Sequence, residues 1–385
     1  MTLVYADLHI HVGSTKKGKP VKITASRKLT LPALVKTAQE KGLQLLGLVD
    51  ASCSGVLEDL KDLAEQGTLQ PVEGGGCRWG DIILFPGSEV ELTHTNGRAA
   101  HFLAYFPNLE AVEEYAFALR PYVTNPALST QRVRLSPDAW LELVCSCGGA
   151  ALAAHAFTPH KGVYGNCVTK LGEMFTQPEL LAGLELGLSA DTSMAQCIHD
   201  THRFAYTASS DAHSLATMGR EFTVYDLPTV SFQAWQSALL GQGRGIRATH
   251  GMDPRLGKYY RSFCPRCQVL ASDPQAVLSC PQCRGQMVKG VWDRIQEIAD
   301  FPESQVRRPP YISHVPLLML PGVGPAVYSR LMENVGSEIH VLYHAALEGI
   351  EAVAGGRAAA SIRDLRGGAL PIQPGGGGTY GRVIQ

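Results

Sequence analysis

Histidines and carboxylates recur along the first part of the chain, each where an apolar run ends. These side chains are His9, His11, Asp50, Glu89, His101, His155, Asp211 and His213. In a β-strand, residues i and i+2 point to the same face, so His9 with His11, and Asp211 with His213, can each hold an ion from one side. Imidazole and carboxylate are ligands of Zn²⁺ and Mn²⁺, and carboxylate with water suits Mg²⁺. The spacing therefore predicts one metal site assembled from many strands.

An alternating series of strands and helices is expected to position these residues. Helices are predicted at 31–41, between Thr30 and Gly42, and at 137–147, between Ser136 and Gly148. Alternation of this kind indicates parallel strand pairing and, with about seven repeats, an α/β barrel whose reactive residues lie at one end. Apolar runs that fit buried strands lie at 3–10, 43–49, 81–85, 101–106, 150–155, 184–186 and 205–209.

Each histidine taken alone has a simpler interpretation. A single histidine such as His101 or His155 is more often a hydrogen-bonded core residue than a metal ligand, and one His-x-His pair is a weak motif. The joint occurrence of His-x-His, Gly-x-Glu and Asp-x-His, each after an apolar run, favours the shared metal site.

The composition is that of an ordinary globular protein. Of the 385 residues, 45% are hydrophobic and 18% are charged, and the formal net charge is −1. No run of about eighteen uncharged apolar residues occurs, and the first residues lack a basic and apolar leader. We therefore expect neither a membrane span nor a signal peptide, and we expect the protein to be cytoplasmic. In that compartment cysteines serve as metal ligands and free thiols rather than as disulfides.

Four of the cysteines have the spacing of a zinc site. Cys264 with Cys267, and Cys280 with Cys283, form two Cys-Pro-x-Cys pairs. Two such pairs are typical of a closed tetrahedral four-cysteine zinc site, whereas a thioredoxin-like redox site needs one pair. Because all four coordination positions come from the protein, this zinc is expected to stabilise the fold and not to catalyse.

A glycine hairpin follows the cysteine segment. Residues 318–325 read Leu-Met-Leu-Pro-Gly-Val-Gly-Pro and lead into a helix-like segment. In helix-hairpin-helix proteins such glycines, here Gly322 and Gly324, let backbone N–H groups approach a DNA phosphate. A plain turn is the alternative. The glycine-rich residues 375–382 are expected to form a flexible tail.

These features, in this order, resemble a known family. The metal-site stretches resemble the PHP domain (polymerase and histidinol phosphatase), and the whole series resembles endonuclease Q. The matching segments are 6–11, 87–92, 154–159, 185–189, 210–213, 257–259, 308–311 and 380–382. The resemblance implies an α/β fold: a distorted (β/α)7-type PHP barrel at 1–250, a small four-cysteine zinc-binding module at 251–300, and a helical, helix-hairpin-helix-like DNA-binding domain with a flexible glycine-rich tail at 301–385.

The resemblance also implies an activity and a set of ions. Endonuclease Q is a DNA repair enzyme that hydrolyses the phosphodiester 5′ to uracil, hypoxanthine, xanthine or an abasic site. Carried over by motif, one divalent ion would be held by His9, His11, Glu89 and Asp211, and a second by Glu89, His101 and His155. Asp50 and His213 are left for a third ion, which in PHP proteins needs further histidines where this chain has Ala51 and a lysine-rich segment. Two or three ions of Zn²⁺, Mn²⁺ or Mg²⁺ are expected there, beside the structural Zn²⁺, with Asp211, Glu89, His9 and His11 as the catalytic core.

Two surfaces near the metal site are predicted to meet DNA. Basic residues after the first strand would bind its backbone, with a solvated loop as the alternative: Lys16, Lys17, Lys19, Lys22, Arg27 and Lys28. Recognition of a deaminated base by an enzyme that cuts the backbone implies extrusion of the nucleotide into a pocket. Candidates for that pocket follow His155, again with an ordinary loop as the alternative: Phe157, His160, Tyr164 and Asn166.

Two other functions stay open from sequence alone. A PHP-type phosphatase acting on a small phosphomonoester needs the barrel and nothing after it. A zinc-ribbon DNA-binding protein with an inactive barrel needs the C-terminal half alone. The presence of every ligand stretch favours the nuclease, with DNA containing deaminated bases as its partner. Protein partners, including a sliding clamp, are not determined by the sequence.

Overall fold

The computed structural model describes residues 2–241, 245–273, 275–303 and 306–384. Its strands are β1 (Thr2–Ile10), β2 (Leu45–Leu48), β3 (Gln70–Pro71), β4 (Cys77–Trp79), β5 (Ile82–Thr93), β6 (Ala99–Tyr105), β7 (Ala150–Ala153), β8 (Leu181–Glu185), β9 (Ala205–Thr207), β10 (Phe222–Leu227), β11 (Ile246–Met252), β12 (Phe263–Cys264), β13 (Val269–Leu270), β14 (Tyr311–His314), β15 (Ile372–Gln373) and β16 (Arg382–Val383). Its α-helices are α1 (Leu31–Lys41), α2 (Ser54–Glu65), α3 (Leu109–Leu119), α4 (Pro137–Ser146), α5 (Thr192–Ala195), α6 (Phe232–Leu239), α7 (Val291–Ile298), α8 (Pro325–Asn334), α9 (Glu338–Tyr343), α10 (Leu347–Ala354) and α11 (Gly356–Arg366).

One large sheet curls into a distorted barrel, in agreement with the α/β barrel that the sequence predicts. Its strand order is β14-β11-β10-β1-β2-β5-β6-β7-β8-β9. The strands β1, β2 and β5 pair in parallel, and so do β7, β8 and β9. Beyond β9, Ala212 bridges to Ile10 of β1, and its backbone N–H donates to His9 O at 3.1 Å. The two ends of the curled sheet therefore meet beside the residues of the expected metal site.

Some neighbouring strands are antiparallel, in contrast to the uniformly parallel pairing that the alternation indicates. The pairs β5 with β6, β6 with β7, β1 with β10, and β10 with β11 run antiparallel. Residues 94–98 alone join β5 to β6. A parallel crossover needs a dozen or more residues, so this connection can only make a hairpin. The hairpins distort the barrel.

Both helices predicted in detail are confirmed. Helix α1 begins after Thr30, has a proline in its first turn, and ends at Gly42, which adopts the left-handed φ of 85°. Helix α4 begins after Ser136, whose side chain accepts a hydrogen bond from Ala139 N at 3.2 Å, and ends one residue before the predicted end. Their buried faces pack on the barrel, as in any layered α/β fold.

The strands that carry the site are held from both faces. All four residues of β2 are buried, as expected for a parallel strand covered on each side. Tyr105 of β6 is fully buried and its hydroxyl donates to the Leu8 carbonyl of β1. The strand ends are therefore rigid supports for catalytic side chains.

The segments that follow the barrel pack onto it. Val291 and Ile295 of α7 are buried in the main barrel core. Strand β14 pairs in parallel with β11 and so extends the barrel sheet, although the boundary predicted at 301 lies before it. Lys41 of α1 forms a buried ion pair with Glu338 of α9, which ties the helical region to the barrel.

The glycine-rich segment also returns to the barrel. Strands β15 and β16 form a small hairpin whose loop holds the glycines. Gly375, Gly378 and Gly381 donate backbone hydrogen bonds to carbonyls of 255–258, at 2.7, 3.1 and 2.9 Å. This hairpin brings Tyr380 to the mouth of the barrel. None of the helices in the described ranges is long and apolar enough to cross a membrane.

Candidate active site

The first group of possible metal ligands is His9, His11 and Asp211. His9 and His11 lie at the end of β1 and its extension, on one face because their spacing is two residues. Asp211 Oδ1 is 3.5 Å from His9 Nε2 and 3.4 Å from His11 Nε2. Both Nε2 atoms are buried and have no hydrogen-bond partner within the described ranges. Buried nitrogens without a partner are costly, so the geometry fits a cation that both imidazoles bind.

The second group is Glu89, His101 and His155. Glu89 Oε1 is 3.0 Å from His101 Nδ1 and 3.6 Å from His155 Nε2. The other oxygen, Oε2, is 3.4 Å from His11 Nε2 in the first group. Glu89 therefore stands between the two groups, as a bridging carboxylate of a two-metal site must.

Two of these residues have strained backbones. Asp211 has a φ of 47° and His155 a φ of 29°, both in the left-handed region that non-glycine residues rarely adopt. His155 lies two residues after the end of β7 and Asp211 four residues after the end of β9, where the chain turns and aims each side chain inward. Strain of this kind is concentrated at functional sites, where the surrounding structure holds it.

A second layer of carboxylates orients the imidazoles. Glu185 Oε2 lies 2.9 Å from His9 Nδ1 and accepts from His155 N at 3.0 Å. Asp7 accepts from Ser210 N and Gly219 N at 2.9 and 2.8 Å, and so holds the turn that carries Asp211. Carboxylates behind metal-binding histidines determine the ring tautomer and the direction of the other nitrogen. Glu185 was not among the predicted site residues, although it ends an apolar run as the others do.

Asp50 has the same role toward His11. Both Asp50 oxygens are 3.1 Å from His11 Nδ1, and Oδ2 also accepts from Val12 N at 2.7 Å. The Ser129 hydroxyl donates to Oδ1. His213 lies beside the first group, with its Nδ1 3.0 Å from the Asp211 carbonyl. Asp50 and His213 are near the metal site, but neither belongs to the groups of described residues whose ligand atoms converge.

Electrostatics favour ionised carboxylates at this site. Burial raises the pKa of Asp211, but the imidazoles, His9 foremost, outweigh it and hold that pKa well below its ordinary value. Burial lowers the pKa of His9, but nearby carboxylates, Glu185 foremost, raise it to about 10. A proton and a metal ion therefore compete for the His9 imidazole, so metal binding at this site releases a proton.

The four cysteines converge as predicted. Their sulfur atoms all lie within 4.8 Å of one another, with Cys264 Sγ 3.8 Å from Cys283 Sγ. Backbone N–H groups of the second pair, Cys283 foremost, lower the pKa of Cys280 to about 7. Thiolates are the form that binds zinc, so the backbone prepares Cys280 for the ion, whereas the neighbouring cysteines, Cys283 foremost, raise the pKa of Cys267 to about 12.

The predicted basic residues separate into three kinds. Lys16 and Lys17 are exposed and pair with Asp62 and Glu58 of α2. Lys22 points inward, with its Nζ 3.1 Å from Glu89 Oε2. Three more are exposed and have no carboxylate partner among the described residues: Lys19, Arg27 and Lys28. Exposed cations without partners are the ones available to a phosphate backbone.

A cavity of about 580 Å³ opens beside the first metal group. His155, Asp211 and His213 contribute to its wall, together with Arg220, Lys258, Tyr259 and Tyr380. The Lys258 ammonium lies 5.3 Å from the Tyr259 ring centre and 5.4 Å from that of Tyr380. The last four residues come from separate parts of the chain and share no local motif, so sequence patterns did not reveal them as cavity residues.

The four residues predicted to form the base pocket do not lie together. Phe157 and Tyr164 are buried and stack on each other, with ring centres 5.4 Å apart. Asn166 is partly buried, and its carbonyl accepts from Arg98 at 3.0 Å. His160 is exposed, lines the cavity, and lies edge-on to Tyr259 at 4.8 Å. Of the four, His160 alone reaches the cavity.

The glycine hairpin occurs twice in the helical region. Gly322, before α8, and Gly355, between α10 and α11, both adopt a φ of 86°. Gly324 begins α8 and has open space at its Cβ position. Sequence reasoning found the first hairpin and missed the second, although Ala354-Gly355-Gly356 resembles Pro321-Gly322-Val323.

The fold and these two ligand groups define an enzyme-like site for two metal ions, of the kind that hydrolyses phosphoesters. No family model matches the chain. It is 38% identical over 388 residues to the uncharacterized protein YqxK of Bacillus subtilis, and that match covers 100% of both chains.

Two solved structures align with nearly the whole chain. The lesion-specific endonuclease PfuEndoQ from Pyrococcus furiosus has a TM-score of 0.85 and 32% identity, over 99% of this chain and 95% of that one. Endonuclease Q in complex with a 27-mer duplex carrying an abasic lesion at the active site has a TM-score of 0.84 and 32% identity, over 100% of this chain and 97% of that one. The chain belongs to the endonuclease Q family of metal-dependent DNA endonucleases.

Proposed function

We propose that this protein is a DNA repair endonuclease that hydrolyses the phosphodiester 5′ to a deaminated base, namely uracil, hypoxanthine or xanthine, or to an abasic site. One observation carries the proposal: two converging ligand groups share Glu89 and open onto a cavity large enough for a nucleoside. The relative bound to a duplex with an abasic lesion supports DNA as the substrate.

The metal ligands are assigned to six residues in two sets. His9, His11 and Asp211 would hold one ion, His101 and His155 would hold the other, and Glu89 lies between the two sets. Divalent ions bound there, Zn²⁺, Mn²⁺ or Mg²⁺, would supply a hydroxide nucleophile and would neutralise the phosphate and the leaving oxygen. Glu185 and Asp50 keep the imidazole rings in place, and their hydrogen bonds direct each Nε2 toward the ions.

The cavity is proposed to receive the extruded nucleotide. Tyr259, Tyr380 and His160 offer ring faces for stacking, and Arg220 and Lys258 offer donors to an altered base edge or to the adjacent phosphate. Arg220 donates to the Tyr380 hydroxyl at 3.3 Å, so the C-terminal hairpin forms one wall. Extrusion costs least for a mispaired or missing base, and this cost difference selects the lesion.

DNA on either side of the lesion is proposed to lie on two surfaces. The exposed cations Lys19, Arg27 and Lys28 follow the β1 strand at the barrel mouth. The backbone N–H groups at the hairpin of Gly322 and Gly324, and at that of Gly355, would approach phosphates. Such contacts ignore base sequence, which suits an enzyme that searches for damage.

Free thiols and a four-cysteine zinc site favour the cytoplasm as the location.

The test is a nicking assay on end-labelled duplexes, each with one uracil, hypoxanthine, xanthine or abasic site, and on undamaged duplex. We expect nicks 5′ to the lesion that are lost in Asp211→Asn, because that variant lacks the carboxylate shared by His9 and His11. Equal cleavage of undamaged DNA contradicts lesion recognition. Activity on a small phosphomonoester that survives deletion of residues 255–385 identifies a phosphatase instead.

A further inference from the structure

One lysine lies inside the metal site. The Lys22 side chain is 12% exposed, and its Nζ is 3.1 Å from Glu89 Oε2 and hydrogen-bonded to Thr130 Oγ1. Among the ion pairs of the described residues, the pair of Lys22 with Glu89 is the one that joins a lysine or arginine to a carboxylate of the site. The carboxylates of the site are those in the two ligand groups and those in the layer behind them. A buried ammonium at this place is costly unless it is matched, and here the carboxylate matches it.

Backbone hydrogen bonds hold the loop that carries Lys22 against the metal site. Lys22 N donates to Val12 O and Val21 N donates to Gly13 O, both at 3.1 Å, so the loop folds back along the end of β1. Ser26 N donates to His213 O at 2.8 Å on the far side. A side chain at Gly13 would meet Ser26 O at 1.9 Å, so this close return needs glycine.

The groups around Lys22 are mainly oxygen atoms, which suit a cation. Thr130 Oγ1 donates to Glu89 Oε2, and the neighbouring Ser129 hydroxyl donates to Asp50. Both oxygens of Asp50 are engaged by His11 and Val12. A divalent ion at this position would be forced against the Lys22 ammonium and would find mainly oxygen ligands that already have partners.

We propose that the Lys22 ammonium occupies the place of a third cation, so that the barrel holds two metal ions and a lysine rather than three metal ions. The ammonium is a single positive charge on a flexible stem, and unlike a metal ion it cannot be lost by dilution. It compensates Glu89, which bridges the two ions, and it remains beside the site where a phosphate must bind.

The first test counts ions. Purified protein is saturated with Mn²⁺, desalted, and analysed for manganese and zinc per chain by plasma mass spectrometry. We expect two barrel ions in the wild type and one more in Lys22→His, which removes the ammonium and adds an imidazole ligand. The matched control is Lys19→His in the same loop, which keeps Lys22 and is expected to stay at two. A third barrel ion in the wild type, or no gain in Lys22→His, overturns the proposal.

The second test uses Lys22→Met, which removes the charge and keeps the length of the side chain. Since the ammonium repels both ions at short range, we expect its loss to lower the Mn²⁺ concentration at half-saturation by about tenfold. An unchanged or higher half-saturation concentration contradicts the proposal. Circular dichroism at 20 °C verifies that each variant is folded before its ions are counted.

The proposal rests on the metal site of the proposed function but not on its substrate. Ion counting and Mn²⁺ titration need no DNA, so they can fail while nicking is observed, or succeed while nicking is absent. The two failures are therefore distinguishable.

Discussion

The two metal-binding regions of this molecule are built in opposite ways. The cysteine cluster takes its four ligands from residues 264–283, and four ligands occupy every position in the coordination sphere of a tetrahedral ion. The barrel site collects histidines and carboxylates from segments as far apart as His9 and Asp211, and it opens onto a cavity. A closed site can only stabilise a fold, whereas an open site leaves positions for water and phosphate. The geometry of the two sites is therefore enough to distinguish a structural metal site from a catalytic one.

The strongest way to test this contrast is chelation. Brief treatment with EDTA at neutral pH should remove the exposed barrel ions, lower nicking by at least about a thousandfold, and leave one zinc per chain in the cysteine cluster. Addition of Mn²⁺ or Mg²⁺ should restore activity. Metal content and nicking are measured on the same samples. If activity falls only as the cysteine zinc is lost, the assignment of roles is wrong.

The converse change is Cys280→Ser. The loss of one thiolate leaves the zinc with three protein ligands, so we expect about one zinc per chain to be lost and residues 261–290 to become sensitive to protease. The barrel ions should remain, because no cysteine of the cluster contacts them. Cys145→Ser, at an exposed cysteine outside the cluster, is the control and should change neither quantity. Retention of zinc in Cys280→Ser contradicts a four-sulfur site.

A smaller effect on metal affinity is expected when a carboxylate behind the barrel ligands is changed. Glu185→Gln weakens the hydrogen bond to His9 Nδ1, and such outer carboxylates contribute about 10- to 100-fold to metal affinity. We expect the Mn²⁺ half-saturation concentration to rise by that factor while the cysteine zinc is unaffected. The exposed Glu179→Gln, on the approach to the same strand, is the matched control. Equal affinities of the two variants would show that Glu185 does not orient His9.

A pH effect is expected where the helical region meets the barrel. Burial lowers the pKa of His250 and of His314 from 6.5 to about 3. In the window between these values the unfolded chain binds protons that the folded chain does not, so stability is full above pH 6.5 and falls as pH decreases. From pH 6.5 to 5 each histidine accounts for about 2 kcal/mol at most.

The matched variant is His250→Phe, which keeps a ring stacked on Phe222, 4.5 Å away. Its unfolding free energy in urea, with Mn²⁺ present at each pH, should fall less steeply than that of the wild type. Near pH 8 both proteins should have a similar slope against pH. Parallel curves for the two proteins from pH 6.5 to 5 would rule out His250 as a source of acid sensitivity.

The smallest effect is expected at the cavity wall. Tyr380→Ala should reduce nicking beside uracil by about fivefold, since stacking on a partly exposed aromatic ring contributes about 1 kcal/mol, the low end of its usual range. Tyr380→Phe, which keeps the ring and loses the contact with Arg220, should retain most activity. The rates are compared at subsaturating DNA. Equal losses in the two variants would point to the hydroxyl rather than the ring.

Much of the barrel site could be predicted because its signals are local. His9 with His11 is a spacing of two on a strand, and Glu89, His155 and Asp211 each end an apolar run. The hairpin between β5 and β6 was missed, because periodicity does not report strand direction. Lys22 was predicted to bind the DNA backbone with the other basic residues after β1, because nothing local shows that its loop folds back over Glu89.

The sequence by itself determined the ligand types, the two cysteine pairs and the positions of α1 and α4, since each depends on neighbouring residues and short-range geometry. The tertiary structure alone decided which groups face which. It placed Glu185 and Asp50 behind the histidines, Lys22 against Glu89, and Tyr380 in the same cavity wall as Asp211. Those contacts join residues far apart in the chain, and they exist only once burial of the apolar core has paid the entropy of bringing distant segments together.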